Sequence, residues 1–174
     1  MMSGLYSIPL HGLKEGLHEY NFEIGNEFFE QFEDSEIKEG ELVAVADLTK
    51  RSTHLDLTLV ITGWVRICCD RCLEIYAHRV DCENRLLVRV GKNWDEDDPD
   101  LLTIPTDQSD LELSQYLYEF IHLALPLKRV HPDNADGTSG CDPDMLNKIR
   151  DHNSGNDIEN DPRWDQLKKL MNNN

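Results

Sequence analysis

Three consecutive runs of alternating apolar and polar residues dominate the middle of the chain. In Glu41 to Thr49, Leu42, Ala44, Ala46 and Leu48 share a face. In His54 to Ile67, Leu55, Leu57, Leu59, Ile61, Val65 and Ile67 share one, with Asp56, Thr58, Thr62 and Arg66 opposite. In Ile75 to Val90, Tyr76, Val80, Cys82, Leu86, Val88 and Val90 face away from Arg79, Asp81, Glu83, Arg85 and Arg89. A period of two marks half-buried strands. The short connections at Lys50 to Thr53 and at Cys68 to Cys72 therefore predict an antiparallel meander.

Shorter signals surround this sheet. Tyr6 to Leu10 reads as a short extended piece, and Leu17 to Ile24 as a first strand with His18, Tyr20, Phe22 and Ile24 on one side. Asn26 is placed to cap a short helix whose Phe28, Phe29 and Phe32 pack inward. Gly91 to Asp110, with the acidic run Asp95 to Asp100 and two prolines, reads as an exposed loop. Its carboxylates lack the ligand spacing and turn glycine of a calcium loop. Leu111 to Leu125 turns helical, with Ser114 as N-cap, a stripe of Leu113, Leu117, Phe120, Ile121 and Ala124, and Pro126 as its stop. It is expected to cover the apolar face of the sheet. Asp142-Pro143 and Asp161-Pro162 each read as an N-cap followed by proline at the first helical position. They predict a helix over Asp144 to Arg150 and a terminal one with Trp164, Leu167, Leu170 and Met171 as its stripe. The expected fold class is α+β: an antiparallel β-meander sheet with one covering helix and short C-terminal helices. Residues 1–150 are expected to form a single domain, and 151–174 a linker and C-terminal docking helix.

Charge changes the picture in one respect. The formal net charge is −17 over 174 residues, but it is uneven. Glu15 to Glu41 holds ten acidic residues against one lysine, whereas Leu42 to Val90 holds six against seven basic ones. Direct contact with phosphate would thus come from the central sheet, through Arg66, Arg71, Arg79, Arg85 and Arg89. The acidic remainder suits a basic protein partner or solubility. On the strand faces the same arginines could simply pair with Asp81 and Glu83 across strands. No run approaches the roughly 18 to 20 apolar residues of a membrane span, and a cytoplasmic location is expected.

Candidate chemistry centres on cysteine. Three of five cysteines fall within Cys68 to Cys72, an odd and clustered set unlike a secreted disulfide framework. Cys69 and Cys72 have the spacing at which two thiolates from one tight turn reach a common metal ion or form a reversible disulfide. Cys82 lies on an apolar strand face and reads as a small core residue. Four ligands are needed for a structural zinc, and His131 and Cys141 are two further possible ones. Cys141 precedes a predicted helix N-terminus, where the dipole favours a thiolate.

Taken in order, Cys69-Asp-Arg-Cys72-Leu after a strand, an apolar helix running into Leu123-Ala-Leu-Pro126, His131 and Cys141 beyond it, and a terminal Asp161-Pro-Arg-Trp164 with Leu167-Lys-Lys-Leu170 resemble the YceD family. These are bacterial and plastid proteins linked to accumulation of large-subunit ribosomal RNA. The resemblance covers roughly Leu42 to the C-terminus. It implies a non-enzymatic role in assembling the large ribosomal subunit, with ribosomal RNA or a basic ribosomal protein as partner and no membrane or small-molecule substrate. It also implies a zinc site formed by Cys69, Cys72, His131 and Cys141. Arg66, Arg71, Arg79, Arg85, Arg89 and Trp164 are the expected partner contacts. His131 and Cys141 enclose nine residues, wider than a compact second knuckle, and Cys68 adds a competing thiol. The alternative is a thiol redox or zinc-binding adaptor acting through protein partners. Against redox chemistry, the Cys-x-x-Cys lies between strands and not at the start of a helix. Against zinc catalysis, no His-Glu-x-x-His or His-x-Glu pattern accompanies the cysteines.

Overall fold

The computed structural model describes residues 5–91, 101–105 and 108–154. The fold is α+β, and the meander forms its centre. Strands β2 (Gly16–Ile24), β3 (Gly40–Lys50), β4 (Leu55–Cys68) and β5 (Ile75–Val90) pair antiparallel in chain order. The register aligns the apolar positions across strands: Phe22 opposes Ala44, Ala44 opposes Ile61, and Ile61 opposes Cys82. Because successive side chains alternate, these rows bury one face while Arg66, Arg79 and Arg85 stay on the other.

The short extended piece at Tyr6 to Leu10 is a strand, and two further strands were not legible as strands. β1 (Ser7–Pro9) pairs antiparallel with β7 (Asp110–Glu112), placing the buried Ile8 opposite the buried Leu111. The stretch predicted as the start of a helix is therefore a strand until Glu112. β6 (Leu101–Ile104) lies within the segment read as an exposed loop and runs parallel to β5 at its Leu87 to Val90 end. Both partners are remote or parallel, and neither pairing leaves a local pattern in so few residues.

Among the described residues the helices are α1 (Asn26–Phe29), α2 (Ser114–Leu123) and α3 (Pro143–Ser154). In α1, Phe28 and Phe29 are buried, and the ring of Phe28 meets Tyr6 edge-on at 4.9 Å. Phe32 stacks on Tyr118 of α2 at 3.9 Å. The fully buried Phe28 and Phe29 rings each contribute about 1.5–3 kcal/mol. Gly25, not Asn26, is the N-cap of α1. The Asn26 side chain instead accepts a hydrogen bond from the Gly40 N–H at 3.0 Å, tying the helix to the start of β3. Ser114 is likewise inside α2, whose cap is Leu113. Its hydroxyl donates to the Glu112 carboxylate at 2.6 Å. α2 turns Leu117 and Ile121 inward and packs on β5, so the expected covering helix is present. Cys82 is half-buried beside the Phe120 carbonyl, and burial pushes its thiol pKa up.

The chain divides into two compact units. One comprises residues up to Cys68 together with Ile75–Arg129; the other joins Cys69–Glu74 to the residues from Val130 onward. The acidic run Asp95 to Asp100 and the terminal segment with Trp164 lie outside the described residues.

Candidate metal centre

Among its described residues the second unit buries little apolar material. Among its described residues, Cys69, Cys72 and Cys141 are the side chains that are buried. How they meet follows from two local constructions.

The first is the turn after β4. The Cys69 N–H donates to the Glu74 carbonyl, and the Leu73 N–H to the Cys69 carbonyl, both at 2.9 Å. Closing so tight a loop forces Leu73 to a φ of 64°, a left-handed conformation unusual for a side chain of this size. Within the turn the Arg71 N–H points at the Cys69 sulfur, 3.4 Å away. Cys69 and Cys72 thus face the same way.

The second construction brings His131 to Cys141 around a loop closed on itself. The Asn134 N–H donates to the Thr138 carbonyl at 2.8 Å, and the Asp136 carboxylate accepts from the Thr138 N–H and hydroxyl. The Thr138 hydroxyl is the main cause that lowers the Asp136 pKa. At the neck a Cβ on Gly140 would overlap the Pro132 carbonyl oxygen and lie 3.2 Å from His131 Cβ. Only glycine lets the two arms close there. Beyond the neck, Asp142 caps α3: its carboxylate accepts from the Asp144 N–H at 3.1 Å. Replacing it with alanine should cost about 1 kcal/mol of helix stability, read as faster amide exchange in residues 144–150 with the sheet unaffected. The predicted Asp-Pro helix start is therefore correct, while α3 runs on to Ser154, past the predicted Arg150.

These constructions bring the four candidate ligands together. The donor atoms of Cys69, Cys72, His131 and Cys141 all lie within 4.8 Å of one another. Cys69 Sγ and Cys141 Sγ are 3.7 Å apart, and Cys72 Sγ and His131 Nδ1 are 3.4 Å apart. Around a tetrahedral zinc, with bonds of about 2.3 Å to sulfur and about 2.0 Å to nitrogen, neighbouring sulfurs stand about 3.8 Å apart and sulfur and nitrogen about 3.5 Å. The donor set and its spacing fit that ion. Cys68, the competing thiol, is exposed on the other side of the strand, as alternation requires.

The thiols are electrostatically distinct. Burial, the largest single influence, disfavours ionised Cys69. The N–H groups of Cys72, Arg71 and His131 and the His131 side chain outweigh it and lower its pKa to about 5. Burial raises Cys72, against opposing N–H groups of Glu74 and Asp142. The two shifts have opposite signs. A depressed pKa gives a stabilisation present above the usual thiol range and lost as pH falls through about 5. Cys72, being raised, acts in the contrary sense.

The arginines are not gathered in the same way. Arg79 pairs with Asp81 at 3.2 Å, Arg85 with Glu83 at 2.9 Å, and Arg66 with Glu39 at 3.6 Å. The first two pairs run along β5 between residues i and i+2, not across strands, because such residues share a face. Arg79 and Arg85 are six positions apart, or about 20 Å along the strand. Arg89 is exposed, and Arg71 reaches the Ser139 hydroxyl at 3.5 Å. Trp64 was missed at the sequence level. It is 38% exposed on the outward face, and its even parity with Thr62 and Arg66 was the signal.

Over residues 55–171 the sequence matches the family model described as large ribosomal RNA subunit accumulation protein YceD. No curated protein and no solved structure matches the chain. The matched span holds all four converging ligands and well over half of the chain, which therefore belongs to the YceD family.

Proposed function

We propose that this chain is a binding factor in the accumulation of large-subunit ribosomal RNA, and that Cys69, Cys72, His131 and Cys141 hold a structural zinc ion. The observation that carries the metal reading is the convergence of three sulfurs and one imidazole nitrogen within 4.8 Å in a unit with no other buried side chain among its described residues. The zinc would supply the cross-link that an apolar core otherwise provides. Four protein ligands leave no open coordination position, which is the pattern of a structural and not a catalytic site.

The family supplies the ribosomal context. The partner is inferred from charge: three of the sheet arginines already carry a carboxylate neighbour, while the chain as a whole is at −17. This favours a basic protein of the assembling subunit over naked RNA as the immediate contact. No helix among the described residues is long and apolar enough to cross a membrane.

The test is sedimentation of the tagged chain in cell extracts. It should co-migrate with large-subunit precursors, and crosslinks scored separately for RNA and protein should fall mainly on protein. Absence from every particle fraction would sink the ribosomal reading. Crosslinks confined to RNA, lost when Arg66, Arg79 and Arg85 are reversed in charge, would transfer the contact to the sheet arginines.

A further inference from the structure

A groove of about 490 Å³ opens where the end of β2 meets the start of β3 and α1. Leu5 and Val43 line it and are 57% and 44% exposed. Glu23, Glu27 and Glu41 line it as well, and none of these carboxylates has a hydrogen bond or ion pair among the described residues. Arg66, Arg79 and Arg85, by contrast, each have an acidic neighbour. The apolar surface continues beyond the groove: Glu41 opposes Trp64 in the β3 and β4 register, and Val43 shares their outward face two pairs away. Glu27 also helps burial to raise the Tyr6 phenol pKa, so its charge is felt at the groove wall.

We infer that this groove is the docking site for a lysine- and arginine-rich segment of a protein partner. Three unpaired carboxylates repel phosphate and attract cations. The apolar floor suits the aliphatic stems of lysine and arginine, which pack along such surfaces while their charged ends stay in water. Trp64, exposed opposite Glu41 on the neighbouring strand, offers a face to a guanidinium. The inference deepens the reading of the chain as a binding factor by naming the chemistry of its partner and the place where it binds.

The experiment measures fluorescence anisotropy on the full chain of a labelled peptide of alternating lysine, arginine and leucine and, in separate samples, of a labelled single-stranded RNA oligonucleotide. The peptide should bind saturably at one site, more weakly as salt rises. Glu23→Gln, Glu27→Gln and Glu41→Gln together should weaken it about tenfold, since each exposed pair contributes only a modest factor. Glu15→Gln, Asp133→Asn and Asp151→Asn together change net charge equally at exposed positions outside the groove, and should leave affinity within about twofold. Val43→Ser should weaken binding with no change of charge. Thermal melts matching the parent chain establish that the variants fold. Equal losses in the two triple variants, an unaffected groove variant, or tighter binding of the RNA than of the peptide would each overturn the inference. Binding is read directly, so failure of the chain to enter ribosomal particles would count against the ribosomal reading without deciding the groove.

Discussion

Purified with its thiols reduced, the chain is expected to carry one zinc ion, and Cys141→Ser to lose it. Cys141 closes a tetrahedron whose other corners come from a turn some seventy residues earlier and from the far arm of its own loop. An alcohol in place of a thiolate is a poor ligand, and a drop of roughly a hundredfold or more in affinity is expected where loss of even a supporting contact costs about 10–100-fold. Cys68→Ser and Cys82→Ser should keep the ion, since one thiol is exposed on the opposite side of its strand and the other sits against α2. Metal analysis with competitive chelation gives the numbers. Chelation should also abolish amide protection across residues 130–154 while sparing β2 to β5, because the described residues of the second unit form no apolar core that could replace the metal. Zinc-free protein that takes up none on titration, or equal affinity in Cys141→Ser, would remove the site. A reversible disulfide between these cysteines, recovered instead of metal, would restore the redox alternative.

Gly63→Ala is expected to destabilise the sheet by about 2–4 kcal/mol. Gly63 lies within β4 with a φ of 150°, a backbone conformation that residues with a Cβ rarely adopt. The added Cβ would overlap the Glu41 carbonyl oxygen and sit 2.6 Å from Leu42 Cα, so the strain falls on the backbone of β3 and no rotamer change relieves it. Gly91→Ala is the control: no atom of the described residues lies within 4 Å of its Cβ position, and a change within about 0.5 kcal/mol is expected. Urea unfolding followed by tryptophan fluorescence reads both, as a shift in midpoint at unchanged slope. A Gly63→Ala midpoint equal to that of the parent would show that β3 can move aside.

Both expectations depend on features that differ in how plainly the sequence displays them. The strands from Gly16 to Val90 were legible almost to the residue because each is long and half-buried, so that its side chains alternate over many turns of the pattern. Cys69 and Cys72 were legible as a pair for the same reason: a short break between two such strands has to be a turn. Asp142-Pro143 was legible as a helix start because both cap and proline act locally. Asn26 and Ser114 show the limit of that reasoning. Each has the right residue type for a cap, but a neighbour claimed its side chain: the Gly40 N–H for Asn26 and the Glu112 carboxylate for Ser114.

The sequence by itself therefore determined what periodicity and local backbone chemistry encode: the class of fold, the order and facing of the long strands, and the four residues able to bind a metal. The tertiary structure decided what depends on contacts between distant segments. β1 with β7, and β6 alongside β5, are pairings whose energy lies in partners that a three- or four-residue stretch does not reveal. The spacing of 3.7 Å between Cys69 and Cys141 is of the same kind. It requires a glycine at the neck of a loop and a left-handed leucine in a turn, each chosen for how closely two backbones must approach.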